Sequence, residues 1–184
     1  TPNFIANRIG TYSMLNAIHL MDKFGMTFEE VDVCTGPAIG WPKSATFRTA
    51  DIVGMDVLYH VVKNIYDNIP DDESREMYRV PPLIEEMVRR GWLGDKTGQG
   101  IYQRVKKSGG ASEILTLDPA NMEYRPQQKA KFPSIEAGKA IEDTRERLRT
   151  FVSPALEGKE GDNAQKFLWG LISEMCLYAA RRVP

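Results

Sequence analysis

Histidine and cysteine are scarce: 184 residues hold two of each. His19 and His60 are too few for most acid–base networks, and each sits among apolar neighbours in a helical pattern, where a lone histidine reads as a hydrogen-bonded packing residue. Cys34 and Cys176 lie outside any CxxC or His-rich context, which argues against structural zinc and favours a reducing compartment. Excess charge is also missing. Lys and Arg number 24 against 25 Asp and Glu, a net charge of −1 that gives no reason to expect nucleic acid or an anionic membrane as the main partner. No apolar run reaches the roughly 18 residues of a membrane span, and the N-terminus lacks the basic start and apolar core of a signal peptide. The expectation is a soluble, cytoplasmic protein. An initiating Met is absent too: the chain opens on TPNFIANRIG and ends YAARRVP in mid-pattern, which reads as a piece of a longer protein.

Phosphate-binding fingerprints are likewise missing, although GWLGDKTGQGIY, residues 91–102, looks like a candidate. A P-loop needs glycine directly before its lysine so that successive N–H groups converge on phosphate; here Asp95 separates Gly94 from Lys96. A dinucleotide fingerprint follows a strand and opens a helix, and this stretch has the reverse order. Gly91 reads as a helix stop, Gly94, Gly98 and Gly100 as tight turns, and Lys96 as a solvated or capping residue. No Ser-His-Asp, HExxH or nucleophile-elbow arrangement can be assembled.

What is present is helical periodicity. Ile5, Ile9 and Tyr12, with Leu15, Ile18 and Met21 on adjoining rows, predict a long helix over Phe4 to Phe24 that is apolar on more than one face. Gly25 supplies its stop, and Thr27 with Glu30 has the spacing of a capping box. Ser44 can cap a short turn over ATFRTAD. Ile52, Met55, Tyr59, Val62, Tyr66 and Ile69 step by three and four residues, the clearest stripe in the chain. Pro82 opens a helix in which Glu85 faces Arg89 and Glu86 faces Arg90 at i,i+4. IYQRV and EILTL flank KKSGGAS as a hairpin, residues 118–133 read as a linker, and Ser134, Asp143 and Asp162 read as caps of three further helices, the first two short and reaching about Phe151. Glu29-Glu30 and Asp71-Asp72-Glu73 read as solvated runs. The class is mostly α. In FIANRIG, the polar Asn7 and Arg8 interrupt a strongly apolar helix start, and the Asn7 amide needs partners for both a donor and an acceptor; a helix–helix hydrogen bond and a cleft-facing role are both open.

FIANRIG, EEVD, DIVGMD and GWLGDKTGQGIY, in that order over about 100 residues, resemble the landmarks of the C-terminal helical domain of the 3-hydroxyacyl-CoA dehydrogenases. That resemblance implies a helical fold like the C-terminal domain of 6-phosphogluconate dehydrogenase, with a small C-terminal β-hairpin and additional helices. It divides the chain into the domain itself at 1–105, a hairpin and linker at 106–133, and helices at 134–184 ending in the first helix of a truncated second repeat, to which KFLWGLISEMCLYAARRVP is similar. GWPKSATFRTADIVGMD departs from the family's usual G-P-F before the aspartate, with Ala45-Thr46-Phe47 instead, and looks like the branch found in multidomain bacterial β-oxidation proteins. By resemblance, NAD and the catalytic His-Glu pair belong to a preceding Rossmann domain, where histidine removes the hydroxyl proton of an (S)-3-hydroxyacyl-CoA while hydride leaves C3 for NAD. Asn7 matches the asparagine that lies near the reacting oxygen, a positioning group since an amide does not titrate usefully. Ser44 and Phe47 fall where relatives line the acyl pocket. Arg8 is expected to pin the helix start or the domain interface rather than to act on substrate. The resemblance further implies a homodimer whose chain also meets its own Rossmann domain and second repeat. Competing expectations are a non-catalytic helical interaction module and a related dehydrogenase acting on a non-CoA hydroxyacid.

Overall fold

A computed structural model describes residues 4–107 and 110–182. Helices dominate, with one small antiparallel sheet, in the order α1 (Ile5–Phe24), α2 (Phe28–Thr35), α3 (Phe47–Val53), α4 (Met55–Asn68), α5 (Pro82–Arg90), β1 (Tyr102–Lys106), β2 (Ser112–Asp118), β3 (Glu123–Pro126), α6 (Pro133–Gly138), α7 (Thr144–Leu156) and α8 (Asn163–Ala180). The chain divides into two compact units: residues 1–15 with 47–128, and residues 16–46 with 129–184. Helix α1 contributes its first half to one unit and its second half to the other.

In the first unit the expected long stripe is broken. Gly54 takes φ of +102° between α3 and α4, a backbone conformation that side-chain-bearing residues rarely adopt, so the pattern from Ile52 onward spans two helices. The buried row is Met55, Leu58, Val62, Ile65 and Ile69, while Ile52 is exposed. Helix α5 ends at Gly91 in the left-handed region, as its position after Arg90 predicts. Within it Arg89 turns to Glu86, at 2.5 Å, rather than to the expected Glu85, and shares that carboxylate with Arg90 at 2.6 Å. The two guanidiniums hold the Glu86 carboxyl down to about 2. The expected hairpin gains a third strand. Tyr102 pairs with Thr116 and Thr116 with Arg125, so β3 occupies part of the segment read as linker; its prolines and polar residues mask a four-residue ladder at the sheet edge, where both are tolerated. Ser108 and Gly109 of the expected hairpin loop lie outside the described residues.

In the second unit, Leu15's successors Ala17, Ile18, Leu20 and Met21 are buried with Phe28, Val31 and Cys34 of α2 and Phe167, Leu168 and Leu171 of α8. Burial pushes the Cys34 thiol far up, which keeps it protonated and inert. Thr27 and Glu30 form the expected capping box, and Asp162 forms a second one with Gln165. Glu29, read as solvated, is buried. Asp143 caps α7, as its position predicts, but α6 starts at Pro133 with Phe132 at the cap; Ser134 instead bonds Asp162, its hydroxyl donating at 2.9 Å and its backbone N–H at 3.1 Å. Helix α7 runs past Phe151 and through Pro154 to Leu156. A proline removes the N–H that would serve the carbonyl four residues earlier; that carbonyl, Thr150 O, accepts from Gln165 Nε2 at 3.2 Å. Both histidines, read as packing residues, are exposed.

Candidate functional site

The start of α1 is anchored from two sides within the first unit. Arg8 is buried, and its guanidinium makes an ion pair with Asp72, whose side chain is fully enclosed. The Asp72 carboxylate also accepts the backbone N–H of Ser74 at 2.8 Å. On the backbone side, the Tyr78 hydroxyl donates to Arg8 O at 2.9 Å, and the Tyr78 ring packs at 6.2 Å from that of Tyr12. Burial of an unpaired charge is costly, so Arg8 and Asp72 require each other. Asp72 is therefore not the solvated residue its acidic run suggests. Asn7, the preceding residue, is exposed on the helix. An exposed amide on a backbone fixed by an ion pair and a hydrogen bond has few conformations to lose on meeting a ligand.

Phe47 opens α3 and is 1% exposed as a residue, so it serves as core of the first unit. With Ala50, Asp51 and Gly54 it occupies the i, i+3, i+4, i+7 face of that segment. Asp51 on this face is the residue that sequence reasoning passed over. Its carboxylate accepts the N–H groups of Ile101 and Tyr102, both at 2.8 Å, and so joins α3 to the beginning of β1. Burial pushes its carboxyl up to about 6, against the opposing pull of those two hydrogen bonds and of nearby Arg48. Arg48 in turn grips Asp95 in a two-pronged pair at 2.5 and 2.8 Å. The signal that could have found Asp51 is a carboxylate on the apolar face of a short helix.

The glycine stretch closes over Asp51. A methyl group at Gly94 would overlap the Asp51 backbone carbonyl, and one at Gly100 would overlap the Asp51 carboxylate. Tyr124 donates its hydroxyl to Gly100 O, and Lys96 pairs with Asp56 in the first turn of α4. These glycines are thus committed to a carboxylate, which repels phosphate, and the residues present do not fit the pyrophosphate of NAD.

The Ser44 loop belongs to the second unit. It begins with a 3-10 turn over Pro37–Ile39 and is fastened at its end, where Thr46 N donates to Asp32 Oδ1 at 3.1 Å and the Thr46 hydroxyl to that of Thr35 at 2.9 Å. Ser44 is half-buried, and Ala45 beside it takes φ of +52°, an uncommon conformation for a residue with a side chain. Asn7 and Phe47 thus lie in one unit and Ser44 in the other.

The family model described as "3-hydroxyacyl-CoA dehydrogenase, C-terminal domain" matches residues 4–104. The chain is 42% identical over 180 residues to a Bacillus subtilis (strain 168) protein named "Probable 3-hydroxyacyl-CoA dehydrogenase", a match covering 98% of this chain and 21% of that protein. It is 43% identical over 125 residues to a protein of the same name from Deinococcus radiodurans, covering 67% of this chain and 35% of that one. It is 32% identical over 99 residues to the 3-hydroxybutyryl-CoA dehydrogenase of Mycobacterium tuberculosis (strain H37Rv), covering 54% and 33%. The chain therefore spans about a fifth to a third of these relatives' lengths. With more than half of its residues inside the family match, the chain belongs to the 3-hydroxyacyl-CoA dehydrogenase C-terminal-domain family.

Proposed function

We propose that this chain is the substrate-side and dimerisation portion of an NAD-dependent (S)-3-hydroxyacyl-CoA dehydrogenase of fatty-acid β-oxidation, working in the cytoplasm and inactive when separated from the rest of its protein. The relatives' names supply the reaction class. The observation that carries the assignment of a role is the exposed Asn7 amide beside the buried Arg8–Asp72 pair.

NAD and the proton-accepting groups belong, on this reading, to a Rossmann domain elsewhere in the protein, because the glycine stretch is occupied by Asp51. What this chain supplies is geometry. The Asn7 side chain donates from its N–H2 to the C3 oxygen of the bound 3-hydroxyacyl group, and its carbonyl is free to orient the partner base; as a neutral amide it carries no proton through the reaction. Ser44 borders the acyl chain, whereas Phe47, packed in the core of the first unit, acts at most through the residues it supports. The domain limits that accompany this reading are 1–105 for the family domain, 106–133 for the hairpin and linker, and 134–184 for a helical linker and the first helix of a truncated second repeat.

The test is NADH formation by the intact protein from 3-hydroxybutyryl-CoA and from a longer 3-hydroxyacyl-CoA. Turnover is expected, with Asn7→Ala losing at least about tenfold in kcat/KM, about 1.4 kcal/mol of transition-state stabilisation. An intact, folded protein that turns over neither substrate would overturn the dehydrogenase assignment. Undiminished turnover by Asn7→Ala would remove Asn7 from the site, and full turnover by the 184-residue chain alone would refute the division of labour.

A further inference from the structure

The segment following the family match reaches back to the loop that holds Ser44. Arg147, in the first turn of α7, spreads its guanidinium over backbone carbonyls of two loops. Nε donates to Ala38 O at 2.6 Å and Nη2 to Pro37 O at 3.2 Å, while Nη1 donates to Ile141 O at 2.6 Å and, more weakly, to Glu142 O at 3.4 Å. Nη2 also approaches Thr144 Oγ1 at 3.3 Å. A guanidinium is suited to this because its five N–H donors lie in one plane and cannot be lost by deprotonation; a lysine could serve only part of the set. Next to this contact Gly40 takes φ of +79°, and a methyl group there would sit 3.0 Å from the Thr144 γ-methyl, so the loop rests directly on α7.

Arg147 itself is held in place. Asp143 caps α7 by accepting Glu146 N at 2.8 Å. Gly138 of α6 lies so close to the buried Phe151 ring that a methyl group there would overlap it, and Gln165 of α8 serves the Thr150 carbonyl of α7. The 36–46 loop is thus fastened at both ends, at its end by Asp32 and Thr35 of α2 and at its start by Arg147. Residues 133–156 lie beyond the 4–104 family match, yet the B. subtilis relative matches this chain over 180 residues.

We propose that Arg147 is a positioning residue for acyl-chain selection, fixing the Pro37–Ile39 turn and through it the Ser44 loop. This rests on the dehydrogenase reading and on Ser44 bordering the acyl chain. Without Arg147 the start of the loop loses its charge-assisted contacts while the Arg8–Asp72 anchor beneath Asn7 is untouched, so substrate discrimination changes and the chemical step does not.

The experiment uses the intact protein, Arg147→Ala, Arg147→Lys, and as control Arg145→Ala, an exposed neighbour on the same helix. Two readouts are taken. Trypsin cleavage after the exposed Lys43, followed by mass spectrometry of the Lys43–Ser44 bond, reports the loop without reference to activity. KM and kcat for 3-hydroxybutyryl-CoA and a long-chain 3-hydroxyacyl-CoA report selection. In Arg147→Ala, cleavage at this bond is expected to accelerate about tenfold, a local opening eased by about 1.4 kcal/mol. The ratio of kcat/KM between the two substrates should shift at least about fivefold through KM, with kcat within about twofold. Arg147→Lys should recover part of both effects and Arg145→Ala should show neither. Unchanged cleavage would overturn the clamp, and faster cleavage with an unchanged substrate ratio, or with parallel loss of kcat on both substrates, would overturn its role in selection. If the wild-type protein turns over neither substrate, the dehydrogenase reading and the selection role fail together, and the cleavage readout still decides whether Arg147 holds the loop.

Discussion

At Asp51 two physical tendencies oppose each other. Enclosure disfavours the charged carboxylate, while the Ile101 and Tyr102 N–H groups and Arg48 favour it; enclosure prevails and the carboxyl rises to about 6. A carboxyl raised in the folded state above its unfolded value binds more protons folded than unfolded between those two values. Stability therefore falls as pH rises through the folded value, and the cost of the charge is fully present above it. Between pH 5 and pH 7 this amounts to about 1 kcal/mol. Asp51→Asn keeps the shape, removes the titration, and points an N–H2 at a backbone donor, which costs about 1–3 kcal/mol for the unmet group. The expected outcome in denaturant unfolding is that wild type exceeds Asp51→Asn at both pH values, by about 1 kcal/mol more at pH 5 than at pH 7. A difference independent of pH would mean that Asp51 keeps an ordinary carboxyl.

At the scale of the element, the 91–102 turn sorts its glycines by what surrounds them. Gly98 takes φ of +72° with open space around it, whereas Gly94 and Gly100 sit against Asp51. Gly98→Ala is expected to cost about 1–2 kcal/mol, the left-handed penalty alone, while Gly94→Ala and Gly100→Ala should each cost more than about 3 kcal/mol, because a methyl group displaces the carboxylate or the α3 backbone. Thermal melts of the three variants separate these cases, and equal losses at all three positions would contradict the Asp51 packing. The caps at Thr27, Asp143 and Asp162 and the helix stops at Gly25 and Gly91 were legible because each is a local rule satisfied within four residues. The α3–α4 break was hidden, since an apolar stripe continues through Gly54 and only the backbone turns. The burial of Asp72 was hidden for a related reason: its partner Arg8 is 64 residues away, and an acidic run looks alike whether one member is enclosed or none. In the candidate site, Asn7 is proposed from the family landmark around it, whereas the contact of Arg147 with Pro37 and Ala38 follows no periodicity and carries no side-chain complementarity, because its acceptors are carbonyls that every residue has.

On the whole-molecule scale, apolar surface is unevenly spread. Within the first unit Phe4 and Ile5 are 65% and 48% exposed, and Ile52, Val53 and Val57, on either side of Gly54, are 56%, 49% and 43% exposed. Single exposed apolar residues are ordinary, but three clustered around one helix junction form a patch of the kind that contact surfaces use. A net charge of −1 offers little repulsion between copies. On the dimerisation reading, Ile52 and Val57 lie at the contact, and the isolated chain self-associates with a Kd of about 1 μM, equivalent to about −8 kcal/mol. Ile52→Lys combined with Val57→Lys places two ammonium groups where water is excluded, and because the same patch serves both copies of a twofold dimer each substitution acts twice. Sedimentation at about 50 μM, well above that Kd, should show dimer for the wild-type chain and monomer for the double variant, with unchanged helical content by circular dichroism. If the wild type is monomeric at that concentration, this face does not join copies of the isolated chain and the dimerisation assignment falls. If both proteins are dimers, the contact lies elsewhere, and Phe4 and Ile5 at the start of α1 become the next residues to substitute.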